Sequence, residues 1–179
     1  MTEASVPAAL SAADLASFAK ASNAFALDLY GKLRGREGNL AVSPMSISTA
    51  LTMTWAGARG ETAAQMARVL HVEGTAAQAA DVAGRLVASY RDPGKKVTLR
   101  VANRLFGEET YAFEPAYLEL TRTAFGAPLQ PVDFQHDAEG SRGLINGWVA
   151  EQTNDRIKDL LPAGAVASFL NGVAQSPRK

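Results

Sequence analysis

The chain has 179 residues, enough for one domain with a single buried core. Its 47% hydrophobic and 20% charged content is ordinary for a globular protein. Lys+Arg number 18 and Asp+Glu 18, with no basic block and no cysteine. The charge footprint that attracts a nucleic acid or an anionic membrane is therefore missing, as are disulfides, thiolate nucleophiles and cysteine-ligated zinc.

The N-terminal MTEASVPAALSAADLASF has interrupted apolar positions, no basic start, and the acids Glu3 and Asp14, all of which argue against a signal peptide. No apolar run nears the roughly 20 residues of a membrane helix. Leu15, Phe18, Ser22, Phe25, Ala26, Leu29 and Leu33 then recur every three or four residues, the stripe of an amphipathic helix capped by Ser11 with Asp14. A turn at residues 36–39 leads into Leu40-Ala41-Val42, long enough only for a brief strand. Ser43-Pro44 starts a second helix. The Ser hydroxyl can accept from first-turn amides, and Pro fits the first position because its missing donor would be unpaired there. Residues 45–55 are apolar or small nearly all round, which predicts a buried helix, broken by Gly57 and Gly60. Thr62 and Gln65 form a capping-box pattern for a third helix ending near Leu70. An Ala-rich fourth helix is predicted over residues 75–90, with Val82, Leu86 and Val87 as core contacts.

After Asp92-Pro93-Gly94 the period becomes two. Val97, Leu99, Val101 and Leu105 alternate with Thr98, Arg100, Ala102 and Arg104, a half-buried strand running to Phe106. Glu114-Pro115 opens a helix with Leu118, Thr121, Ala124 and Phe125 on one side, closed by Gly126. Residues 128–134 read as a strand whose Pro131 belongs at a sheet edge. A long helix is predicted over residues 138–161, with Leu144, Ile145, Trp148, Val149, Gln152, Ile157 and Leu160 on one face, ended by Pro162 and Gly164. Helices outnumber strands and no tight hairpin joins the strands, so the fold class is α+β with helices packed on a sheet. Two strands make a marginal sheet, and further strands are expected to complete it.

No residue set carries catalysis. His136 adjoins Asp137, but neighbouring residues diverge on a regular element, and no GxSxG elbow supplies a nucleophile. His71, at a helix end, suits the dipole there. Glu108-Glu109 and the group Asp133, Asp137 and Glu139 lack metal-ligand spacing and sit at turns and helix starts, where acids are expected. The glycines at 57, 60 and 74 have neither P-loop nor dinucleotide spacing. No enzyme activity, cofactor or metal is expected.

Five segments in order resemble the serpins, a family of mostly protease-inhibiting proteins. FALDLYGKL resembles the family's first helix, and SPMSISTALTMTWAGARGETAAQM its second and third. VANRLF resembles a strand of its large central sheet, and the helix before Phe125-Gly126-Ala127 with PLQPVDF resembles the next helix and that sheet's edge strand. INGWVAEQTNDRIKDLLPAG resembles the helix crossing the sheet face. The resemblance runs over about residues 15–165. It divides the chain into a tail at 1–10, the N-terminal part of a serpin domain at 11–165, and a divergent tail at 166–179.

The resemblance implies a serine-type endopeptidase inhibitor that acts by reactive-loop insertion, with a serine protease as partner and an extracellular location, or a cytoplasmic one given the absence of a visible leader. It places Ser43 and Ser46 in the shutter region, where hydroxyls help control opening of the sheet; on local geometry alone they cap the second helix. Trp148 matches an aromatic position and reads as core, while Asn146 and Thr153 match polar positions with no assigned chemistry. The polyanionic-sugar face of some members is not implied, since the fourth helix carries only Arg85 and Lys95 and Lys96 fall in a turn. After LLPAG the pattern departs: AVASFLNGVAQSPRK replaces a strand rich in Val, Leu and aromatic residues. The reactive-centre loop has no counterpart in these 179 residues, so the chain is expected not to inhibit alone. It is expected to self-associate through an exposed sheet edge, or to serve as an interaction module completed by a partner chain.

Overall fold

A computed structural model describes residues 11–90 and 101–174. The chain divides into two compact units, the first comprising residues 1–103 with 115–128, the second 104–114 with 129–179.

The first unit is helical. Helix α1 (Ala12–Leu33) opens with the expected capping box, Ser11 accepting from the Asp14 amide while Asp14 accepts from the Ser11 amide and hydroxyl. Helix α2 (Pro44–Gly57) has Ser43 at its N-cap and Pro44 in its first turn. Helix α3 (Gly60–Leu70) follows at once, and helix α4 (Ala76–Ser89) carries a second capping box, Thr75 with Gln78. Helix α5 (Pro115–Phe125) begins at the predicted proline. Phe25, Trp55, Leu70 and Ala79 form the buried cluster, with Leu29, Leu51 and Met66 packed against it.

Small side chains set the approach of α4 to its neighbours. Its buried face is Ala79, Ala80, Ala83, Gly84 and Val87, while Val82 and Leu86, predicted as core, are only half-buried. At Gly84 an added Cβ would stand 1.9 Å from the Ala124 carbonyl oxygen of α5. Close packing of two helices at a point without a side chain lets their backbones meet, which is why alanines and a glycine line this face rather than larger residues.

Several expectations need correction. Helix α2 is not buried all round: Ser48, Thr49, Thr52, Met53, Trp55 and Ala56 face inward, while Ile47, Ala50 and Thr54 face out. Composition showed no polar face, but helices pack on one side of it only. Thr62 and Gln65 do not cap α3, whose N-cap is Arg59, three residues earlier, with no side-chain bond. Gln65 donates to Glu61 instead, and the Arg59 guanidinium donates to the Ala56 and Ala58 carbonyls at the end of α2. Leu40-Ala41-Val42 forms no strand.

The second unit holds strands β1 (Leu105–Glu108) and β2 (Leu129–Val132), parallel, with Leu105 opposite Leu129 and Gly107 opposite Pro131. Pro131 is exposed, and among the described residues its sheet has two strands, both of them edges, consistent with its missing donor. Of the predicted strand at 97–106, residues 97–100 lie outside the described residues, 101–104 have no regular structure, and the described pairing begins at Leu105 and runs to Glu108.

Helix α6 (Ala138–Gln152) packs on β1, with Trp148 edge-on to Phe106 at a ring separation of 5.8 Å. It ends nine residues before the predicted 161. The Thr153 hydroxyl donates to the Val149 carbonyl and accepts from the Ile157 amide, taking over the helical ladder. Asn154 and Asp155 then turn left-handed, φ 50 and 60, a conformation these two residue types tolerate better than most. Ile157 and Leu160 consequently face outward rather than extending the apolar stripe. Helix α7 (Ala165–Ala174) occupies most of the segment read as a divergent tail from 166.

Candidate functional site

The serine pair sits at the start of α2. Ser43 Oγ accepts from the Ser46 amide at 3.4 Å, and the two hydroxyls lie 2.9 Å apart. Both residues are exposed. The bond satisfies one of the donors a helix N-terminus leaves open.

The histidines are dispersed. His71 is the C-cap of α3 in the left-handed conformation, φ 55, and its Nε2 lies 2.7 Å from Asp28 Oδ2 of α1. His136 Nδ1 lies 3.2 Å from Asp133 Oδ1, not against Asp137, which instead accepts from the Gly140 amide as the cap of α6. Of the acids grouped by sequence, Glu139 is bonded to Arg142 and to the Gly164 amide. Glu108 accepts from the Thr110 amide and hydroxyl and from the Phe134 amide, tying the end of β1 to the turn after β2. Among the described residues, no three His, Asp or Glu converge as a metal site. No described helix is long and apolar enough to cross a membrane.

Sequence reasoning gave Asn146 no role, yet it is the organising polar group of the second unit. It is 6% exposed, and its amide closes on one residue: Nδ2 donates to the Leu161 carbonyl and Oδ1 accepts from the Leu161 amide, both at 2.9 Å. The Arg142 guanidinium adds a second donor to the same carbonyl at 3.2 Å. Together with Glu139 on Gly164, three side chains of α6 hold the returning segment 161–164. The signal available in the sequence was an Asn on the apolar face of a helix, where burial without a partner is costly. Trp148 is half-buried rather than core, with the Arg104 guanidinium 5.4 Å above its ring.

The partners of three carboxylates predict that the second unit loses stability in acid. The Arg142 guanidinium and the Gly164 amide hold Glu139 below the usual Glu range. The His136 amide and ring do the same for Asp133. For Glu108 desolvation pushes upward, but the Thr110 and Phe134 bonds win and the net direction is down. A carboxyl group with a depressed folded value favours folding above its unfolded value and loses that contribution as pH falls through the folded one. The expected result is a urea midpoint that is flat near neutrality and declines from about pH 4 downward. Glu139→Gln should shallow that decline; an unchanged acid slope would exclude Glu139 as a contributor.

The family described as Serpin (serine protease inhibitor) matches residues 20–172. The chain is 44% identical over 151 residues to the leukocyte elastase inhibitor of Bos taurus, covering 83% of this chain and 40% of that protein. It is 37% identical over 155 residues to antithrombin-III of Mus musculus, covering 82% and 33%. Its fold is similar to that of ovalbumin from emu (Dromaius novaehollandiae), with TM-score 0.75 and 30% identity over 83% of this chain and 42% of that one. The chain thus spans well under half the length of the relatives it matches. A match across the five helices of the first unit, the parallel strand pair and α6 is one continuous correspondence rather than a shared motif, and the chain belongs to the serpin family.

Proposed function

We propose that these 179 residues form the amino-terminal part of a serpin-type serine protease inhibitor, and that alone they bind no protease productively and catalyse no reaction. The observation that carries this reading is the extent of the match: the family matches residues 20–172, and 83% of this chain aligns with 40% of a protein named as an elastase inhibitor. Loop insertion needs a loop to be cut and a sheet to receive it. The described sheet has two strands of four residues each, which offers no slot between well-formed neighbours. Incubating the purified chain with an elastase at micromolar concentration is expected to leave the protease fully active, with no detergent-resistant adduct on a denaturing gel. An adduct would overturn the proposal.

A second reading is favoured by the sheet itself. Among the described residues each strand of the two-stranded sheet has one edge with no strand paired to it, and such an edge of backbone donors and acceptors is a template for strand addition. A partner chain supplying the remaining strands would complete the fold, and without one the same edge promotes self-association. In the same elastase assay, adding a polypeptide that carries the rest of a serpin domain is expected to restore the adduct and convert oligomers to a 1:1 complex in size-exclusion chromatography. Inhibition that never appears in the mixture removes this reading. Ser43 and Ser46, proposed shutter residues by resemblance, would show that role only in the reconstituted complex, as a changed inhibition rate in Ser43→Ala.

A further inference from the structure

We propose that the peptide bond between Arg36 and Glu37 is a cleavage site for an arginine-directed serine protease, and that the cut chain keeps α1 in place. Residues 34–43, between α1 and α2, are exposed in unbroken succession. Such a segment of small and polar residues is where proteases nick folded chains. The protease takes its substrate as an extended strand, so backbone bonds flanking the scissile bond must open first. Within residues 34–39 two amides are engaged: Arg34 donates to the Tyr30 carbonyl at 2.8 Å and Arg36 to the Leu33 carbonyl at 3.0 Å. Among the described residues, Glu37, Gly38 and Asn39 make no hydrogen bond. The Arg36 side chain has no ion-pair partner among them either, whereas Arg68, Arg122 and Arg142 are bonded to Glu61, Glu119 and Glu139. A free guanidinium is what the acidic specificity pocket of such a protease captures.

Two other arginines test the argument. Arg34 is as exposed, but it is the C-cap of α1, and cutting after it requires opening the last helical turn. Arg156 lies in the exposed stretch 154–160, where four amides are engaged: Asn154 to Glu151, Asp155 to Ala150, Arg156 to the Thr153 carbonyl and Ile157 to the Thr153 hydroxyl. Each arginine has one acid beside it, Glu37 or Asp155, so charge favours neither bond. With each bond lowering the open population about fivefold, Arg36–Glu37 should be cut about twentyfold faster than Arg156–Ile157. Hydrolysis adds water across the bond, leaving a carboxylate on Arg36 and an amino group on Glu37, and the protease leaves active. The chain is turned over and not trapped. Helix α1 stays because Phe25 is buried with Trp55 and Leu70, Leu29 packs on that cluster, and Asp28 lies 2.7 Å from His71.

The test incubates the full 179-residue chain with a trace of trypsin and follows new termini by mass spectrometry, in buffer and in urea below the unfolding transition. The Glu37 terminus is expected about twentyfold ahead of the Ile157 terminus, at a rate that low urea leaves unchanged because the opening is local. Arg36→Gln, an exposed change, should remove the Glu37 terminus and leave the Ile157 rate as it was. The pieces 1–36 and 37–179 should co-elute in size-exclusion chromatography with the helical circular dichroism retained. Equal rates at the two bonds, a Glu37 rate that climbs steeply with urea, or a piece 1–36 that separates from the remainder would each overturn the proposal.

Discussion

Gly84→Ala is expected to lower the stability of the first unit by about 2 kcal/mol, although alanine is ordinarily the better helix residue. The substitution normally gains about 0.5–1 kcal/mol inside a helix, because glycine loses more backbone freedom on folding. Here the added methyl carbon would sit 1.9 Å from the carbonyl oxygen of Ala124 and 2.6 Å from its carbon. Both are backbone atoms and cannot rotate aside, so α4 and α5 must separate. Overpacking of this kind costs about 1–3 kcal/mol, and more where backbone must shift. That exceeds the propensity gain. Trp55, 4% exposed in the cluster of this unit, reports the transition once Trp148 is replaced by Phe. The urea midpoint should fall by about 1 M at an ordinary slope. Gly143→Ala, in α6 with nothing within 4 Å of the added carbon, is the matched control and should be stabilising by about 0.5–1 kcal/mol. If both substitutions moved stability in the same direction, the close approach of α4 to α5 would not be the cause.

The contrast between these two glycines shows where sequence reading stops. Sequence placed α1, α2, α4 and α5 within a residue or two, because their boundaries are written locally: Ser11 with Asp14, Ser43-Pro44, Thr75 with Gln78, Glu114-Pro115 and Gly126. A capping bond involves three or four consecutive residues, so its chemistry is visible in order along the chain. Failures arose where a local pattern competed with a nonlocal one. Thr62 and Gln65 had the spacing of a capping box, but α3 started at Gly60 and Glu61 took the Gln65 amide. Ile157 and Leu160 continued the apolar period of α6, yet Thr153 and the left-handed Asn154 and Asp155 ended the helix before them. The Asn-Asp pair was the available signal and was outweighed by periodicity. Which face of α2 is covered depends on the placement of other helices, and no period within its own run reveals it.

The candidate site followed the same division. The Ser43–Ser46 bond was readable because it spans three residues. The Asn146–Leu161 pair spans fifteen, and a predicted helix running through to 161 made it impossible to foresee, since residues 146 and 161 would then lie more than four helical turns apart. Ending the helix at Gln152 is what allows the chain to return. The early stop and the buried amide are therefore one feature. The polar clamp supplies the partners that the returning backbone would otherwise lack.

Breaking that clamp should be the most damaging single polar change in the second unit. Asn146→Ala removes a donor and an acceptor together and leaves the Leu161 amide and carbonyl facing a small cavity. Each lost bond costs about 1 kcal/mol, with a further penalty for groups left unsatisfied, so a total of about 2–3 kcal/mol is expected. The Arg142 guanidinium still reaches the Leu161 carbonyl, which leaves the amide as the more exposed casualty. Amide hydrogen exchange at Leu161 should accelerate in step with the global loss, whereas Gly164, held by Glu139, should retain more of its protection. Asn146→Asp separates the geometry of the clamp from mere side-chain volume. It keeps the acceptor for the Leu161 amide but sets a carboxylate oxygen against the Leu161 carbonyl; repulsion and burial raise its folded pKa above that of an unfolded Asp, against an opposing pull from Arg142 whose charge Glu139 already offsets. A raised acid is favoured in its protonated form by the fold. The variant should therefore gain stability as pH falls from neutrality through that raised value, because the protonated group can again donate to the carbonyl. This slope is opposite to that expected of the wild-type unit, in which depressed carboxylates lose stability in acid. Following Trp148 fluorescence in a Trp55→Phe background reads both slopes directly. Parallel acid profiles for the two proteins, or an Asn146→Ala variant within 0.5 kcal/mol of wild type where surface changes fall, would show that Leu161 is held by something other than this amide.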